Sequence, residues 1–281
     1  MKHVPVLLDA VMNAVGNMRG LRIADCTFGA GGYSQAFLNA GATVVAFDRD
    51  PNVIADAEKI KSKYGNAFQF IPETFSHLNE VSGLFDVIVF DLGISSMQID
   101  IASRGFSFRA DAPLDMRMSA MGQTAADLIK EKSVDELAKI LRDYGDIKKA
   151  NVLARAIKDN LPETTFELRD LIFNPRDIAP VFQALRIAVN DEFGEIERAL
   201  SIVPEKLNVG GKCICVTFHS LEDRIVKNTF RTWTTPAGDP RLPTNRPAPF
   251  DMIRVATPTD AELESNPRSR SAHMRGVIKT C

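Results

Sequence analysis

Residues 21–48 read LRIADCTFGAGGYSQAFLNAGATVVAFD, and this stretch decides the fold. It begins with a short apolar strand at 21–25, passes through a glycine-rich turn, and has helical character over 33–39. A second apolar strand at 43–48 follows. An apolar strand, a helix and another apolar strand in succession predict a parallel β-α-β unit covered on both faces.

The same alternation continues to residue 91 and then stops. A helix is predicted over 52–63, and strands over 68–71 and 85–91. From 124 to 202 the pattern is helical, with one apolar stripe at Leu137, Ile140, Leu141 and Tyr144 and a second at Phe182, Leu185, Val189, Phe193, Ile196 and Leu200. Strand character returns at 211–218 and near 252–256 and 277–280, while 234–249 holds five prolines and is predicted to be a loop.

This order of elements predicts an α/β protein with an inserted all-helical domain. We expect the α/β domain to be formed by residues 1–105 and 204–281, and the helical insert by residues 106–203. The length of 281 residues is enough for two cores of this kind.

Composition and charge exclude several classes of protein. Apolar residues make up 45% and charged residues 25%, which excludes a disordered or fibrous chain. The net charge of −2 argues against a generic nucleic-acid coat. Residues 224–281 nevertheless carry ten Lys or Arg against five Asp or Glu. This basic end could bind the phosphate backbone of a nucleic acid, and it could equally be a tail exposed to solvent.

Cysteine spacing and hydropathy bear on the compartment. The four cysteines form no C-x-x-C pair, so we predict no metal site and interpret Cys213 and Cys215 as buried apolar residues in a reducing cytosol. The apolar runs are shorter than the ~20 residues that cross a bilayer, and Met1 leaves little room for a signal peptide before the first apolar segment. We therefore expect a cytoplasmic protein that does not enter a membrane.

The turn after the first strand is a candidate ligand site, because ligands bind at the carboxyl ends of parallel strands. A dinucleotide site needs a third glycine where this chain has Ser34 after Gly29 and Gly31. Asp25 would repel a pyrophosphate but could accept a hydrogen bond from an ammonium group. A cationic ligand without phosphate fits better, and S-adenosylmethionine is the obvious one.

Asp48 ends the second strand, 23 positions after Asp25. An acidic residue at about this distance accepts hydrogen bonds from ribose hydroxyls in nucleotide-binding sheets. The alternative role is a helix cap, but Asp50 precedes Pro51 and suits the cap better. Asp48 is therefore predicted to be available to the ligand.

Asp91 ends the fourth strand and is the candidate catalytic residue. A carboxylate can accept a hydrogen bond from the exocyclic amine of cytosine and could orient its lone pair toward a methyl sulfonium. The alternative is a loop aspartate that binds its own backbone.

Two further segments are candidates for substrate contact. Arg104, Phe106, Phe108 and Arg109 interleave cations and aromatic rings without helical or strand period, as base-stacking segments do. The alternative is that both phenylalanines fill a core beneath a long loop. His219 lies just beyond the carboxyl end of the strand at 211–218, where it could meet the substrate, while Ser220 and Asp223 resemble a capping box for a helix over 221–231. A zinc deaminase is disfavoured because no P-C-x-x-C follows.

Taken together, these segments resemble the RsmH (MraW) family of S-adenosylmethionine-dependent methyltransferases. The matching stretches occur in family order: 3–8 (HVPVLL), 25–32 (DCTFGAGG), 47–50 (FDRD), 91–96 (DLGISS), 104–108 (RGFSF), 113–118 (PLDMRM), 182–187 (FQALRI), 189–190 (VN), 218–224 (FHSLEDR) and 266–270 (NPRSR). The resemblance implies a class I methyltransferase sheet, and methylation of N4 of one cytidine in the decoding region of 16S rRNA.

The resemblance also implies residue roles and partners. The family's cofactor positions carry over to Gly31, Gly32, Tyr33, Asp48, Phe75, Asp91 and Gln98. Tyr33 and Ala30 replace a frequent His and Arg, and we expect both on the rim of the cofactor loop. The implied partner is 16S rRNA within the 30S subunit or a late assembly intermediate, not DNA or a membrane.

Three other functions are weighed against this one. A DNA amino-methyltransferase would have a D/S/N-P-P-Y/F segment where this chain has Asp91-Leu92-Gly93-Ile94. An NAD-dependent oxidoreductase would need the glycine that Ser34 replaces. A non-catalytic ribosome assembly factor on the same fold is the alternative that the sequence leaves open.

Overall fold

The computed structural model describes residues 5–237 and 247–281. His3 and Val4 of the first family motif, and residues 238–246 of the predicted proline-rich loop, lie outside the described residues. The chain divides into a sheet unit, Met1–Gly93 with Phe193–Cys281, and a helical unit, Ile94–Glu192.

A seven-stranded sheet forms the sheet unit, in the order β3-β2-β1-β4-β5-β7-β6. The strands are β1 (Arg22–Asp25), β2 (Thr43–Phe47), β3 (Phe68–Ile71), β4 (Phe85–Asp91), β5 (Leu207–Thr217), β6 (Phe250–Ala256) and β7 (His273–Lys279). Strands β1 to β5 are mutually parallel where they pair, and β7 runs antiparallel to β5 and β6. The predicted α/β fold class is confirmed.

Helices are present at the predicted positions 33–39, 52–63 and 221–231 and through most of 124–202, whereas those at Leu8–Val15, Ser96–Asp100 and Asp260–Ser265 were not predicted. The helices are α1 (Leu8–Val15), α2 (Gly32–Asn39), α3 (Ile54–Tyr64), α4 (Ser96–Asp100), α5 (Ala125–Glu131), α6 (Val134–Gly145), α7 (Ala150–Asn160), α8 (Thr165–Asp170), α9 (Ile178–Asn190), α10 (Glu192–Lys206), α11 (Ser220–Trp233) and α12 (Asp260–Ser265). Short 3₁₀ helices lie at Pro51–Val53, Gly65–Ala67, Phe75–Glu80, Ala102–Arg104, Pro175–Asp177 and Pro267–Ser271. In the described part of the chain, none of the helices is both long and apolar enough to span a bilayer.

Capping side chains explain where α5, α6 and α8 of the helical unit begin. Thr124, Ser133 and Thr164 each accept a hydrogen bond from the backbone N–H three residues on, while an acidic side chain at that position accepts from the cap's own N–H. This reciprocal capping box satisfies two of the N–H groups that a helix start otherwise leaves without a partner.

The domain boundaries differ from the predicted ones at both ends. The helical unit begins at Ile94, not at residue 106, and ends at Glu192, not at residue 203. Ile196, Leu200 and Val203 of α10 are buried in the apolar core of the sheet unit. The predicted stripe from Phe182 to Leu200 is therefore two stripes, because Asp191 adopts a left-handed conformation (φ 47°) and ends α9.

Candidate functional site

The carboxyl ends of β1, β2 and β4 form the candidate site in the sheet unit. Asp25 pairs in register with Ala46 of β2 and Val89 of β4. Beyond Asp25, the backbone N–H of Cys26 donates to Val89 O at 2.8 Å and that of Phe28 donates to Phe47 O at 2.9 Å. The turn after β1 is therefore held against both neighbouring strands.

Asp25 lies beneath this turn and is completely buried. The Ser34 hydroxyl donates to its Oδ2 at 2.6 Å, and the Thr27 N–H donates to its Oδ1 at 3.3 Å. Burial raises the pKa of Asp25 to about 6, against the opposing effect of the Ser34 hydrogen bond. The nearby Asp48 carboxylate also raises the pKa of Asp25.

The glycines of the turn are required by close packing and by backbone conformation. Gly31 has a φ of +75°, and a Cβ there would lie 2.5 Å from Ile60 Cδ1. A Cβ on Gly32 would lie 2.3 Å from Pro5 Cγ. At Gly29, by contrast, the nearest atom to a Cβ would be Thr27 O at 4.0 Å, so this part of the turn faces open space.

Asp48 joins the turn to the end of β2. Its Oδ2 accepts from the Gly29 N–H at 2.8 Å, and its Oδ1 accepts from the Asp50 N–H at 2.9 Å. Asp50 caps the 3₁₀ helix at Pro51–Val53 by accepting from the Asn52 N–H, so the predicted capping role of Asp50 is confirmed. Burial raises the pKa of Asp48, and its backbone hydrogen bonds oppose that rise.

Asp91 ends β4 beside Asp25. Its backbone N–H donates to Thr27 Oγ1 at 2.7 Å, which ties β4 to the turn after β1. The Oδ1 atom is enclosed and accepts no hydrogen bond from the described residues. Burial raises the pKa of Asp91 well above its usual range, and Asp25 and Glu222 raise it further. Asp25, Asp48 and Asp91 therefore form one acid cluster.

The other predicted cofactor residues have different surroundings. The Tyr33 side chain was expected on the rim, but it is only 3% exposed, and its hydroxyl donates to the Val6 carbonyl. That expectation was wrong, because the residue faces inward from the first turn of α2.

Phe75 is half-buried and packs edge-on against Phe90, with ring centroids 5.5 Å apart. Gln98 belongs to the helical unit, where its side chain accepts from the Ser95 N–H at 3.0 Å.

His219, not Ser220, caps α11, which corrects the predicted capping box. The Nδ1 atom of His219 accepts from the Glu222 N–H at 3.4 Å. Glu222 Oε2 accepts from the N–H groups of Phe218 at 3.0 Å and of His219 at 3.3 Å. Asp223, the predicted partner of Ser220, instead forms a bidentate ion pair with Arg275.

The segment with interleaved Arg and Phe is largely part of the helical unit's own core. Phe106 is 8% exposed and lies in the core cluster, and Phe108 packs edge-on against Phe182 at 5.6 Å. The Arg104 guanidinium donates to the carbonyls of Arg117 and Met118. Arg109 is exposed. The alternative of core-filling phenylalanines thus describes Phe106 and, in part, Phe108.

Three residues of the site were missed by the sequence analysis. Thr27 and Ser34 hold Asp91 and Asp25 through the hydrogen bonds described above. Glu222 is completely buried and raises the pKa of Asp91. The signal that could have located it is its position in the first turn of the helix that follows β5, the neighbour of β4.

The acid cluster is suited to a cationic ligand. Three carboxylates share a poorly solvated region, so each one disfavours ionisation of another, and a bound positive charge would relieve both burial and repulsion. Within residues 5–237 and 247–281, no three His, Cys, Asp or Glu side chains are arranged to hold a metal ion.

Comparison with known proteins gives a consistent family match. The sequence matches the profile of the MraW methylase family over residues 1–280. The ribosomal RNA small subunit methyltransferase H of Rhizobium leguminosarum bv. trifolii (strain WSM2304) is 44% identical over 299 residues, covering 99% of this chain and 88% of that protein. The protein of the same name from Rhizobium meliloti (strain 1021) is 44% identical over 300 residues, with the same coverage. A solved structure described as a putative rRNA-methylase from Clostridium thermocellum aligns with a TM-score of 0.48 at 11% identity, covering 99% of this chain and 98% of that chain.

Proposed function

This chain belongs to the MraW methylase family, and from that premise we propose that it transfers a methyl group from S-adenosylmethionine to N4 of one cytidine in the decoding region of 16S rRNA. The substrate would be the 30S subunit or a late assembly intermediate in the cytoplasm. The names of the curated relatives support an activity on small-subunit rRNA.

The observation that carries the proposal is the acid cluster at the ends of β1, β2 and β4. Burial is the main cause of the raised pKa of all three carboxylates: Asp25 is completely buried, and Asp48 and Asp91 are half-buried. A cluster of desolvated carboxylates fits S-adenosylmethionine, which carries a sulfonium and an ammonium group. The enclosed Oδ1 of Asp91 supplies a hydrogen-bond acceptor that the described residues do not use.

We assign the cofactor to the residues around this cluster. The first turn of α2 would offer the backbone N–H groups of Gly32 and Tyr33 to a carboxylate, while Gly31 shapes the turn, because its own N–H donates to Phe28 O at 2.7 Å. Tyr33 would take part through its main chain because its side chain is buried. Asp48 would accept from the ribose hydroxyls, and Phe75 would contact the base. Gln98 lies in the helical unit, and its assignment rests on the family resemblance alone.

We assign Asp91 the catalytic role. When bound, the cofactor supplies an electrophilic methyl group. The N4 amine of cytosine is a poor nucleophile because its lone pair is delocalised into the ring. Asp91 would accept a hydrogen bond from the amine, direct the lone pair out of conjugation and take the proton that the methylated amine loses.

Substrate contacts are assigned within each unit separately. In the helical unit, Arg109 is the exposed cation of the predicted segment and would contact a phosphate directly, while Arg104, Phe106 and Phe108 would shape the segment that presents it. In the sheet unit, His219 would meet the substrate at the end of β5. The target base must leave its stack to be methylated.

The test is transfer of labelled methyl groups to naked 16S rRNA, 30S subunits and duplex DNA, followed by mapping of the modified nucleotide. We expect label on N4 of a single cytidine in the decoding region of 30S subunits. Label on DNA would make the substrate assignment wrong. Binding to 30S subunits without label on any substrate would favour a non-catalytic assembly factor.

A further inference from the structure

A buried carboxylate outside the acid cluster, Glu222, lies beside the loop that follows Asp91. Glu222 is 0% exposed, and its Oε1 atom lies 3.7 Å from the point where a Cβ on Gly93 would stand. Gly93 is two residues beyond Asp91 and has a φ of +94°, so the loop passes directly over this carboxylate. A residue other than glycine at position 93 would be strained in this backbone conformation, and its Cβ would stand in van der Waals contact with Glu222.

The sheet brings the corners that carry the two carboxylates together. Asp91 pairs in register with Val216 of the adjacent parallel strand β5, and the Leu92 N–H donates to Val216 O at 2.9 Å. Both strands end at this edge, and Glu222 stands in the first turn of the helix that follows β5. The pairing of β4 with β5 therefore brings Glu222 close to Asp91.

We propose that Glu222 is a positioning residue for the methyl-transfer reaction, and that its negative charge strengthens Asp91 as the proton acceptor. The inference rests on the proposed function, in which Asp91 receives a proton from the substrate amine. Two like charges in a poorly solvated region make each carboxylate more basic, so Asp91 binds a proton more readily with Glu222 ionised than without it. The rise in the pKa of Asp91 has burial as its main cause and includes this contribution.

Among the described residues, the charged and titratable neighbours of Asp91 come from three elements, β1, α2 and α11. Asp25 at the end of β1 raises its pKa, as Glu222 does. Asp91 in turn raises the pKa of the Tyr33 phenol on α2. His219 acts on Glu222, because its Nε2 atom lies 2.9 Å from Glu222 Oε1.

The capping role of Glu222 does not require its charge. The side chain accepts hydrogen bonds from the N–H groups of Phe218 and His219 through Oε2. The amide oxygen of a glutamine could accept both of these bonds, as glutamine does in other capping boxes. Glu222→Gln therefore removes the charge and retains the acceptor.

The first experiment is an NMR titration of ¹³C-labelled aspartate carboxyl groups in the full chain, with Asp91→Asn used to assign the Asp91 signal. We expect Glu222→Gln to lower the titration midpoint of Asp91 by about one pH unit, the size of shift that a neighbouring charge produces. Glu222→Asp retains the charge and should keep most of the wild-type midpoint. A midpoint in Glu222→Asp that falls as far as in Glu222→Gln would show that the charge is not the cause and would overturn the inference.

The second experiment is a single-turnover rate profile against pH on 30S subunits. A proton acceptor works in its deprotonated form, so the rate rises as pH increases through its pKa. Glu222→Gln should move this acid limb to lower pH by the same amount and lower the plateau, because Asp91 becomes a weaker base. Asp223→Asn is the matched control. It removes a carboxylate from the same helical turn, but that carboxylate is paired with Arg275. We expect it to leave the limb in place.

The outcomes separate this inference from the function on which it rests. An unchanged Asp91 midpoint in Glu222→Gln would overturn the inference whatever the enzyme does. If Glu222→Gln moved the titration midpoint of Asp91 but left the pH–rate profile unchanged, the inference would also be overturned. In that case the error would lie in the assignment of Asp91 as the proton acceptor. Equal shifts in both measurements support it.

Discussion

The two units differ in how their candidate functional residues are placed. In the sheet unit, Asp25, Asp48 and Asp91 come from distant parts of the chain and form one acid cluster. In the helical unit, residues 104–109 are contiguous, yet Phe106 is in the core and Arg109 is exposed. Distance along the chain is therefore a poor guide to which residues act together.

The physical reason lies in the two kinds of backbone. Parallel strands bring their carboxyl ends to one edge, so a residue that ends a strand has a fixed location and a fixed set of neighbours. An irregular segment has no such geometry. Its side chains face a core or solvent according to local packing, and the same mixture of Arg and Phe suits either environment.

The largest expected effect would come from removing the Phe106 ring. Phe106 lies in the core cluster of the helical unit, and the Arg104 guanidinium stands 5.5 Å from its ring centroid. We expect Phe106→Ala to lower the free energy of unfolding by about 3–5 kcal/mol, the usual cost of deleting a buried phenylalanine. Urea unfolding followed by circular dichroism measures this change.

Phe173→Ala is the matched control for that experiment, because Phe173 belongs to the same unit and is 76% exposed. It should change the stability by no more than about 0.5 kcal/mol. If the two variants were equally stable and Phe106→Ala lost only RNA affinity, Phe106 would be a stacking residue and the contrast between the units would disappear.

The next largest effect concerns Asp91. We expect Asp91→Asn to reduce the single-turnover rate by about 10²-fold or more, because the amide cannot take a proton from the substrate amine. Calorimetry should still detect cofactor binding, although more weakly, since one negative charge of the cluster is lost. Methyl transfer at near wild-type rate would remove Asp91 from the mechanism.

Asp86→Asn is the control at the opposite end of β4. The Asp86 carboxylate accepts hydrogen bonds from the Arg22 N–H and the Asn208 side chain, both at 2.8 Å. Its replacement should cost stability without changing the rate per folded molecule. A comparable loss of rate in both variants would indicate a general weakening of the strand instead of a role for its carboxyl end.

Sequence reasoning located the acid cluster because each member ends a predicted strand. The apolar runs before Asp25, Asp48 and Asp91 identified the strands, and the alternation with helices implied that they are parallel. The inward orientation of Tyr33 was not predictable in this way. It depends on a tertiary hydrogen bond from its hydroxyl to the Val6 carbonyl.

The unit boundaries and the cap of α11 were mispredicted for a related reason. The helical spacing of apolar residues is the same on both sides of Asp191, so it cannot indicate that Leu185 and Leu200 belong to different cores. At the start of α11, both Ser220 with Asp223 and His219 with Glu222 have capping spacing. The ion pair between Asp223 and Arg275 of β7, a contact distant in sequence, leaves His219 as the cap.

A smaller effect is expected on stability from Asp25→Asn. The pKa of Asp25 is raised from 3.8 to about 6 in the folded protein, mainly by burial, so the folded state binds a proton more tightly than the unfolded state. The stability associated with this group is fully present below about pH 4 and is lost as pH rises toward 6. Asp25→Asn should therefore be more stable than the wild type above pH 6, by on the order of 1–3 kcal/mol, and should bind S-adenosylmethionine more weakly.

Thermal unfolding between pH 4 and 8 measures this difference, which should grow with pH and then level off. Ser34→Ala is the variant of opposite sign. In the wild type, the Ser34 hydroxyl donates to Asp25 Oδ2 at 2.6 Å and thereby lowers the pKa of Asp25. Because Ser34→Ala removes this hydrogen bond, it should destabilise the protein at neutral pH. If the wild type and Asp25→Asn were equally stable at pH 7, burial of the ionised Asp25 carboxylate would cost no stability even without ligand.

The smallest effect is expected at Arg109, the exposed member of the segment in the helical unit. Arg109→Ala should leave stability unchanged and weaken binding of 30S subunits a few-fold. If the guanidinium contacts one phosphate, the slope of log affinity against log salt should fall by about one. Lys148→Ala removes another exposed positive charge from the same unit and should leave this slope unchanged. Equal slopes for Arg109→Ala and the wild type would leave residues 104–109 with a structural role only, and the contrast with the acid cluster would then be complete.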